Sequence, residues 1–373
     1  MGASEWYIGL MSGTSLDGVD AVLAAFPSGA PMQVRGHVHG PLPEALRHEL
    51  LALNARGDDE LHRAALAANG IAEVYATAVR TLLVQTGCDA AAVRAIGAHG
   101  QTVRHRPGEF DGVGYTCQLL NGALLAERCG IDVVCDLRSR DVAAGGQGAP
   151  LVPAFHAARF GRPGEALAVL NIGGIANLSL LHADGRVGGF DCGPGNALMD
   201  LWCQRQRGLA FDDDGRWSAT GAVHPALLAH WLAEPYFERA PPKSTGRDLF
   251  TAAWLDAGLA TYPRLEPSDV QATLTELTAR CAASALQRHA AATTRLLVCG
   301  GGALNGHLMR RLAALLPDVT VGSTADAGLP PLQVEAAAFA WLAQAFVERR
   351  PGNRPEVTGA RSPRLLGALY PAA

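Results

Sequence analysis

The sequence predicts an α/β fold in which one order of strands and helices occurs twice. Strand-like apolar runs and helical stretches follow the order strand, strand, strand, helix, strand, helix, strand in the first half, and this order returns from Leu167 onward. Glycine-rich segments follow apolar strands in both halves, where free backbone amides and missing side chains let a phosphate approach closely. These observations favour a mixed sheet flanked by helices in each half.

Length and composition favour two domains and a small-molecule ligand. The 373 residues are 49% hydrophobic, which is enough to fill two cores. The formal net charge is -4 and the positive charges are dispersed, so nucleic acid and an anionic membrane are not expected partners. No apolar run reaches the roughly 18 residues that span a bilayer, and no signal peptide pattern is present, so we expect a cytoplasmic protein.

The first half begins with a predicted hairpin. Residues 7–12 and 19–26 are strand-like, and the glycines and small polar residues between them form a turn. The remaining elements of this half are an extended run at about 32–39, a helical stretch at about 44–85, a strand ending at Ala98 and a strand at 131–135.

The second half repeats this order. Residues 167–181 form a strand pair, and a tight turn at 183–185 leads into a strand at 187–191. The later elements are a helix at about 270–289, a strand at 295–299, a helix at about 306–316 and a strand at 319–322. A last helix, at about 331–348, is expected to pack on the first half.

The most informative segment is SGTSLDGVD, residues 12–20, at the tip of the first hairpin. It offers N–H and O–H donors to phosphate oxygens and carboxylates for a hydrated magnesium ion, although an ordinary turn explains the same residues. A second cluster, CGGGALN at 299–305, follows a strand and opens a helix, which suits nucleotide binding. Neither cluster has the Rossmann spacing, and prolines replace the glycine-rich cradle that a Walker loop would need before Lys243.

These segments resemble the anhydro-N-acetylmuramic acid kinases, whose phosphate-loop signature is similar to SGTSLDGVD. Further strings resemble family segments in family order: GAHGQT (97–102), GGQGAPLVP (145–153), NIGGIAN (171–177), FDCGPGN (190–196) and PKSTGR (242–247). The resemblance covers nearly the whole chain. It implies a two-lobed, actin-like (ribonuclease H-like) duplicated α/β fold, with a mixed five-stranded sheet in each domain and a cleft between them. Domain I would comprise 1–140 plus about 340–373, and domain II 141–339.

The resemblance implies a phosphotransferase of cell wall recycling that uses ATP and Mg²⁺. Such an enzyme opens 1,6-anhydro-N-acetylmuramic acid with water and phosphorylates O6, giving N-acetylmuramic acid 6-phosphate and ADP. This chemistry needs a carboxylate base for the water and an amide-cradled phosphate with magnesium. The resemblance also implies a homodimer. The alternatives are another carbohydrate or small-acid kinase of the same superfamily, and a non-catalytic ATP switch resembling Hsp70 or actin.

Asp191 is the candidate catalytic base, because it ends a strand immediately before the glycine-containing turn at 193–195. A helix cap or turn aspartate is the structural alternative. The candidate nucleotide-binding residues are Gly13, Thr14, Ser15, Leu16, Asp17, Gly18, Val19, Asp20, Gly300, Gly301 and Gly302. Asp17 and Asp20 are the candidate magnesium ligands, directly or through water, and their division of labour is open.

The candidate substrate contacts are His99, Gln101, Arg138, Arg140, Asn177 and Glu335. An arginine is the natural partner of the lactyl carboxylate of the sugar, although solvated surface positions explain either arginine equally well. Glu335 also suits the positive end of the last helix, and His99 could instead satisfy neighbouring backbone groups.

Overall fold

A computed structural model describes residues 5–13, 16, 18–245 and 249–372 of the chain. The chain forms two compact units, Met1–Phe155 with Gln333–Ala373, and His156–Leu332. None of the helices in these described ranges combines the length and apolarity that a membrane crossing requires. The predicted domains, 1–140 plus about 340–373 and 141–339, stay a prediction.

The strands, in chain order, are β1 (Trp6–Ser12), β2 (Val19–Ala25), β3 (Gln33–Gly40), β4 (Val93–Ala98), β5 (Gln101–Pro107), β6 (Gly114–Leu119), β7 (Val133–Cys135), β8 (Leu167–Ile172), β9 (Ile175–Leu181), β10 (Val187–Pro194), β11 (Arg295–Cys299), β12 (Thr320–Ser323) and β13 (Ala368–Tyr370). The α-helices are α1 (Glu44–Ala52), α2 (Glu60–Thr86), α3 (Gly122–Cys129), α4 (Ser139–Ala143), α5 (Val152–Phe160), α6 (Ala197–Arg207), α7 (Pro225–Leu232), α8 (Ala252–Leu259), α9 (Pro267–His289), α10 (Gly306–Leu315), α11 (Val334–Val347) and α12 (Pro355–Thr358).

The first unit is built on a mixed six-stranded sheet in the order β13-β7-β4-β1-β2-β3. Strands β1, β4 and β7 run parallel, and β2 and β3 extend the sheet antiparallel beyond β1. The predicted opening hairpin is confirmed, with Ser12 paired to Val19 at its tip. A separate two-stranded sheet, formed by β5 and β6, follows β4.

Helix α11 packs directly against the backbone of the first sheet. A Cβ atom at Gly9 of β1 would lie 1.8 Å from the Ala336 carbonyl oxygen, and one at Gly97 of β4 would lie 2.0 Å from that of Phe339. Only glycine permits this approach, because it has no side chain. Since strand side chains alternate between faces, Ile8 and Leu10 point to the opposite face, where they join a core with residues of α2.

The second unit contains a five-stranded mixed sheet in the order β10-β9-β8-β11-β12. Strands β8, β11 and β12 are parallel, and β9 and β10 continue antiparallel beyond β8. Helix α9 is buried along most of its length, and its Leu274 and Leu277 share a core with Trp231 of α7 and Leu308 of α10. This core fixes the second unit around its sheet.

The two sheets have the same connectivity. The order β3-β2-β1-β4-β7 in the first unit corresponds strand for strand to β10-β9-β8-β11-β12 in the second. In both, a meander of three antiparallel strands is followed by two strands that add parallel to its first member. The predicted duplicated α/β fold with a mixed sheet in each half is therefore confirmed. The first sheet has six strands because β13 joins it antiparallel to β7.

Candidate active site

The candidate residues of the first unit lie where its parallel strands end. Strand β1 ends at Ser12, β4 ends immediately before His99, and β7 ends shortly before Arg138. The carboxyl ends of parallel strands share one edge of a sheet, which is where α/β proteins bind ligands. Three segments distant in sequence therefore meet at this edge.

His99 is a buried, neutral support for the end of β1. Its Nε2 lies 2.9 Å from Nη2 of Arg138, and its Nδ1 lies 3.1 Å from the Ser12 carbonyl oxygen. A guanidinium has only donors, so Nε2 accepts and Nδ1 carries the proton that is donated to Ser12. Burial, assisted by the Arg138 charge, lowers the pKa of His99 to about 3. His99 thus keeps this tautomer at neutral pH.

Gln101, at the start of β5, supports the residues that follow β1. It is 1% exposed, its Oε1 accepts a hydrogen bond from the Ser12 hydroxyl, and its Nε2 donates to the Gly13 carbonyl oxygen at 3.1 Å. Arg138 extends the network, because its Nη1 donates to the Gly148 carbonyl oxygen at 2.8 Å. The start of the β1–β2 loop is therefore held by two side chains of the family segment at 97–102. Substrate contacts by His99, Gln101 and Arg138 stay predictions.

The β1–β2 loop itself is described at Gly13, Leu16 and from Gly18 onward. Leu16 is buried with a φ of 58°, and its N–H donates to the Gly13 carbonyl oxygen at 3.2 Å. The predicted nucleotide contacts Thr14, Ser15 and Asp17 lie outside the described residues.

Asp20 lies on β2 and faces two histidines of β3. Its Oδ1 is 2.8 Å from Nε2 of His37 and 3.2 Å from Nδ1 of His39. Within the described ranges, no group of three or more His, Cys, Asp or Glu side chains could hold a metal ion. A contribution of Asp20 to magnesium binding stays a prediction. Its Oδ1 already lies within hydrogen-bonding distance of both imidazole rings.

The other two predicted substrate contacts of the first unit, Arg140 and Glu335, lie on helices. Arg140 lies on α4 and is exposed, whereas Glu335 is half-buried in the first turn of α11. Their contacts with substrate stay predictions.

Sequence reasoning missed Asp141, a fully buried carboxylate in α4. Its Oδ1 accepts hydrogen bonds from Nδ2 of Asn353 at 2.6 Å and from the Thr358 hydroxyl at 2.8 Å. Its Oδ2 accepts from the backbone N–H of Gly148 at 2.8 Å. Asp141 therefore fastens the glycine-rich segment at 145–148 to the C-terminal part of the first unit.

In the second unit, a polar row crosses three neighbouring strands. Asn171 of β8 pairs in register with Asn177 of β9, which pairs with Asp191 of β10. Residues paired across strands share one face of the sheet. The Oδ1 atoms of both asparagines are buried and have no hydrogen-bond partner in the described part of the chain. Such acceptors beside a carboxylate suit a bound donor, such as a water or a hydroxyl group.

The Asp191 carboxylate is oriented by the segment that contains Lys243. Its Oδ2 accepts a hydrogen bond from the Thr245 N–H at 2.9 Å, and its own N–H donates to the Lys243 carbonyl oxygen at 3.2 Å. The Tyr236 hydroxyl donates to the Asp191 carbonyl oxygen at 2.7 Å. Asn196 occupies the N-cap of α6, so capping of that helix does not explain Asp191.

The triple glycine packs on the end of β8. A Cβ atom at Gly300 would lie 2.5 Å from Oδ1 of Asn171, and one at Gly302 would lie 2.4 Å from Cγ2 of Ile172. Asn196 donates from Nδ2 to the Ile172 carbonyl oxygen at 3.2 Å, close to Gly301. Helix α10 begins directly after this turn, and backbone amides at such a helix start suit a phosphate.

Each unit thus gathers several of its predicted residues at the edge of its sheet where the parallel strands end. In the second unit these are Asp191, Asn177 and the triple glycine. The predicted site residues did not include Asn171, Asn196 and Tyr236. The two asparagines carried a usable signal, since each is a polar residue at the end of an apolar strand within a family string, but Tyr236 carried none.

Comparison with known proteins gives a consistent result over the whole length. A family model described as anhydro-N-acetylmuramic acid kinase matches residues 5–372. A protein of that name from Variovorax paradoxus (strain S110) is 61% identical over 375 residues, covering 99% of this chain and 100% of the relative. One from Cupriavidus pinatubonensis is 61% identical over 368 residues and covers 98% of both chains. One from Albidiferax ferrireducens is 57% identical over 390 residues, covering 99% of this chain and 100% of the relative.

Proposed function

This chain belongs to the anhydro-N-acetylmuramic acid kinase family, and from that premise we propose that it phosphorylates 1,6-anhydro-N-acetylmuramic acid with ATP. The products are N-acetylmuramic acid 6-phosphate and ADP, which places the enzyme in cell wall recycling. The observation that carries the proposal is the row of Asn171, Asn177 and Asp191, in which a fixed carboxylate lies beside buried acceptors.

We propose that Asp191 is the base for the attacking water. Water adds to the anomeric carbon, the bond between that carbon and O6 breaks, and O6 takes the γ-phosphoryl group of ATP. Asp191 receives the proton that the water loses, and ADP leaves. A general base must lie within hydrogen-bonding reach of the proton it takes, and the backbone contacts of Asp191 hold its carboxylate in one orientation. Asn177, in register beside it, accepts a hydrogen bond from the water or from a sugar hydroxyl.

The phosphate groups of ATP are the proposed ligands of the β1–β2 loop and of the triple glycine. The loop begins at Gly13, whose carbonyl group is held by Gln101, so the start of the loop is fixed in place. At the triple glycine, the absence of side chains lets a phosphate approach the backbone closely. The contacts from Gly13 to Asp20 and from Gly300 to Gly302 are proposals, and the Gly300→Ala variant described below tests the triple glycine.

Magnesium is proposed to arrive with the nucleotide. Mg²⁺ in kinases keeps several waters and takes one or two protein carboxylates besides phosphate oxygens, so a dedicated cage is not needed. Asp20 fits such a contact through a water, and Asp17 is the second proposed ligand. When bound, the ion neutralises charge on the phosphates. We also propose a cytoplasmic homodimer, which light scattering on the purified protein tests for its oligomeric part.

The activity is tested with ATP, magnesium and the anhydro sugar in heavy-oxygen water. The reaction proposed here incorporates the heavy oxygen into the sugar and leaves the phosphate ester unlabelled, because O6 comes from the substrate. Mass spectrometry of the product separates these positions after fragmentation. Release of labelled inorganic phosphate without a sugar phosphate would instead indicate uncoupled ATP hydrolysis and would refute the proposal.

The role of Asp191 is tested by Asp191→Asn, which keeps the shape of the side chain and removes the base. We expect turnover to fall by about a hundredfold or more, the usual contribution of a general base. Binding of ATP, followed by calorimetry, should change little. Turnover at the wild-type rate would show that another group takes the proton.

A further inference from the structure

We propose that Lys243 is a positioning residue for Asp191, and that its buried ammonium group fastens the segment whose backbone orients the Asp191 carboxylate. This inference rests on the proposed function, in which Asp191 is the base. Lys243 itself is not assigned a contact with either substrate.

Lys243 is an unusual lysine because its side chain is only 8% exposed. Its Nζ donates to the carbonyl oxygens of Tyr236 at 3.2 Å and Phe237 at 3.1 Å. The same atom lies 4.8 Å from the centroid of the Tyr236 ring and 5.7 Å from that of Phe190. Two carbonyl oxygens and two ring faces therefore replace water around the charge.

Burial of this ammonium has an energetic cost, and burial lowers the pKa of Lys243. A methionine would fill a similar volume without that cost. The charge and its donors are consequently not explained by packing alone. What they add is a fixed distance between two parts of the chain, the turn at Tyr236 and the segment from 243 to 245.

Both parts bind Asp191. The turn contributes the Tyr236 hydroxyl, which donates to the Asp191 carbonyl oxygen, and the later segment contributes the Thr245 N–H, which donates to Oδ2. The Lys243 carbonyl oxygen accepts from the Asp191 N–H. The bond from Nζ to the Tyr236 carbonyl oxygen therefore closes a ring of contacts around Asp191. Without the Lys243 ammonium group, these direct hydrogen bonds between the two parts are lost.

These backbone contacts also favour the ionised form of Asp191, because N–H donors stabilise a carboxylate. Losing them is expected to raise the pKa of the base. Among the residues that the structure describes, the titratable and charged groups around this cluster are Tyr236, Arg239, Cys192, Cys281, Glu238, Arg288 and His289.

Most of these groups do not titrate near neutral pH. Burial raises the pKa of Cys192 to about 12, burial with Asp191 nearby raises that of Tyr236 further, and burial raises that of Cys281. A hydrogen bond from Arg288 lowers the pKa of Glu238. His289 also titrates below neutrality, because burial and the neighbouring cations lower its pKa. A His289→Gln variant therefore checks that the acid limb of the rate profile belongs to Asp191.

The test uses the purified full chain and measures kcat, both KM values and the pH dependence of kcat. For Lys243→Met we expect kcat to fall about tenfold, with KM for ATP changed by less than about twofold. The acid limb should move up by about half to one pH unit, since the Thr245 donor to the Asp191 carboxylate is displaced. Lys243→Arg, which keeps a charge and donors, should recover part of the rate. Arg239→Met is the matched control, because Arg239 is exposed and lies over the same Tyr236 ring at 5.9 Å.

A second variant distinguishes two effects of Lys243 on Asp191: positioning of its carboxylate, and a direct electrostatic effect of the ammonium charge. Replacing Thr245 by its α-hydroxy acid turns the N–H that binds Asp191 into an ester oxygen and leaves Lys243 in place. The acid limb should again move upward. An unshifted limb in the ester variant, or a Lys243→Met enzyme with the wild-type profile, would overturn the inference. An inactive wild-type protein would instead contradict the proposed function itself. The ester variant also guards against a Lys243→Met chain that fails to fold.

Discussion

Replacement of Asp141 by asparagine is expected to loosen the glycine-rich segment at 145–148. The wild-type carboxylate is fully buried and accepts hydrogen bonds from Asn353, Thr358 and the Gly148 N–H. The side-chain carbonyl oxygen of asparagine can keep the first two partners. Its NH₂ group then faces the Gly148 N–H, so two donors oppose each other.

The magnitude follows from these contacts. The lost bond to Gly148 is one to a charged acceptor, which contributes about 1.5–3 kcal/mol. The two retained bonds lose their charge assistance, which costs about 1 kcal/mol each. The free energy of unfolding of the first unit should therefore fall by about 3–5 kcal/mol, a large share of the roughly 5–15 kcal/mol that stabilises a typical domain.

Urea unfolding and hydrogen exchange of the peptide that contains Gly148 measure the effect. The midpoint should fall, and exchange at Gly148 should accelerate more than exchange in the second unit. Asp136→Asn is the matched control, because Asp136 is exposed and binds the Ser139 hydroxyl at 2.5 Å, and its effect should stay within about 0.5 kcal/mol. An unchanged midpoint together with unchanged Gly148 exchange would refute the reasoning.

Two further outcomes are expected. The rings of His99 and His156 stay neutral down to about pH 3, whereas in the unfolded chain each takes up a proton near pH 6.5, so stability falls as the pH is lowered between these values. The free energy of unfolding of His99→Gln, obtained from urea unfolding between pH 7 and 4, should change with pH by about 1.4 kcal/mol per pH unit less than that of the wild-type protein. An unaltered slope would contradict this. For Gly300→Ala, the new Cβ would meet Oδ1 of Asn171 at 2.5 Å with φ at 75°, so ATP affinity should fall at least about tenfold. Gly188→Ala, whose Cβ would lie 3.4 Å from the nearest atom and which is not a proposed nucleotide contact, is the control, and equal losses in calorimetry would argue against the clash.

Much of the fold could be predicted because its central strands are apolar and its turns are rich in glycine. The first hairpin and the strands of the second sheet were identified within one to three residues. The predicted helix at 44–85 is instead two helices, α1 and α2, because the polar turn between them interrupts the chain. The β5–β6 hairpin was missed, since the strand Gln101–Pro107 carries arginine and histidine in place of an apolar alternation.

The candidate site was less predictable for a physical reason. Strand ends and residue types identify Asp191 and the glycines, but the partners of a side chain depend on tertiary contacts. Asp141 binds residues more than two hundred positions away, and Lys243 acts on a strand that ends some fifty residues earlier. No local pattern encodes such pairings, so the network around each candidate could not be derived from spacing.

The glycines beneath α11 have a consequence for how the protein is made. The helix that rests on Gly9 and Gly97 comes from the C-terminal part of the chain, whereas the strands it covers are synthesised first. During translation, one face of that early sheet stays uncovered until the whole of His156–Leu332 has left the ribosome. The nascent first unit thus carries an uncovered apolar surface, and a chaperone that shields it would protect the protein until the final helix arrives.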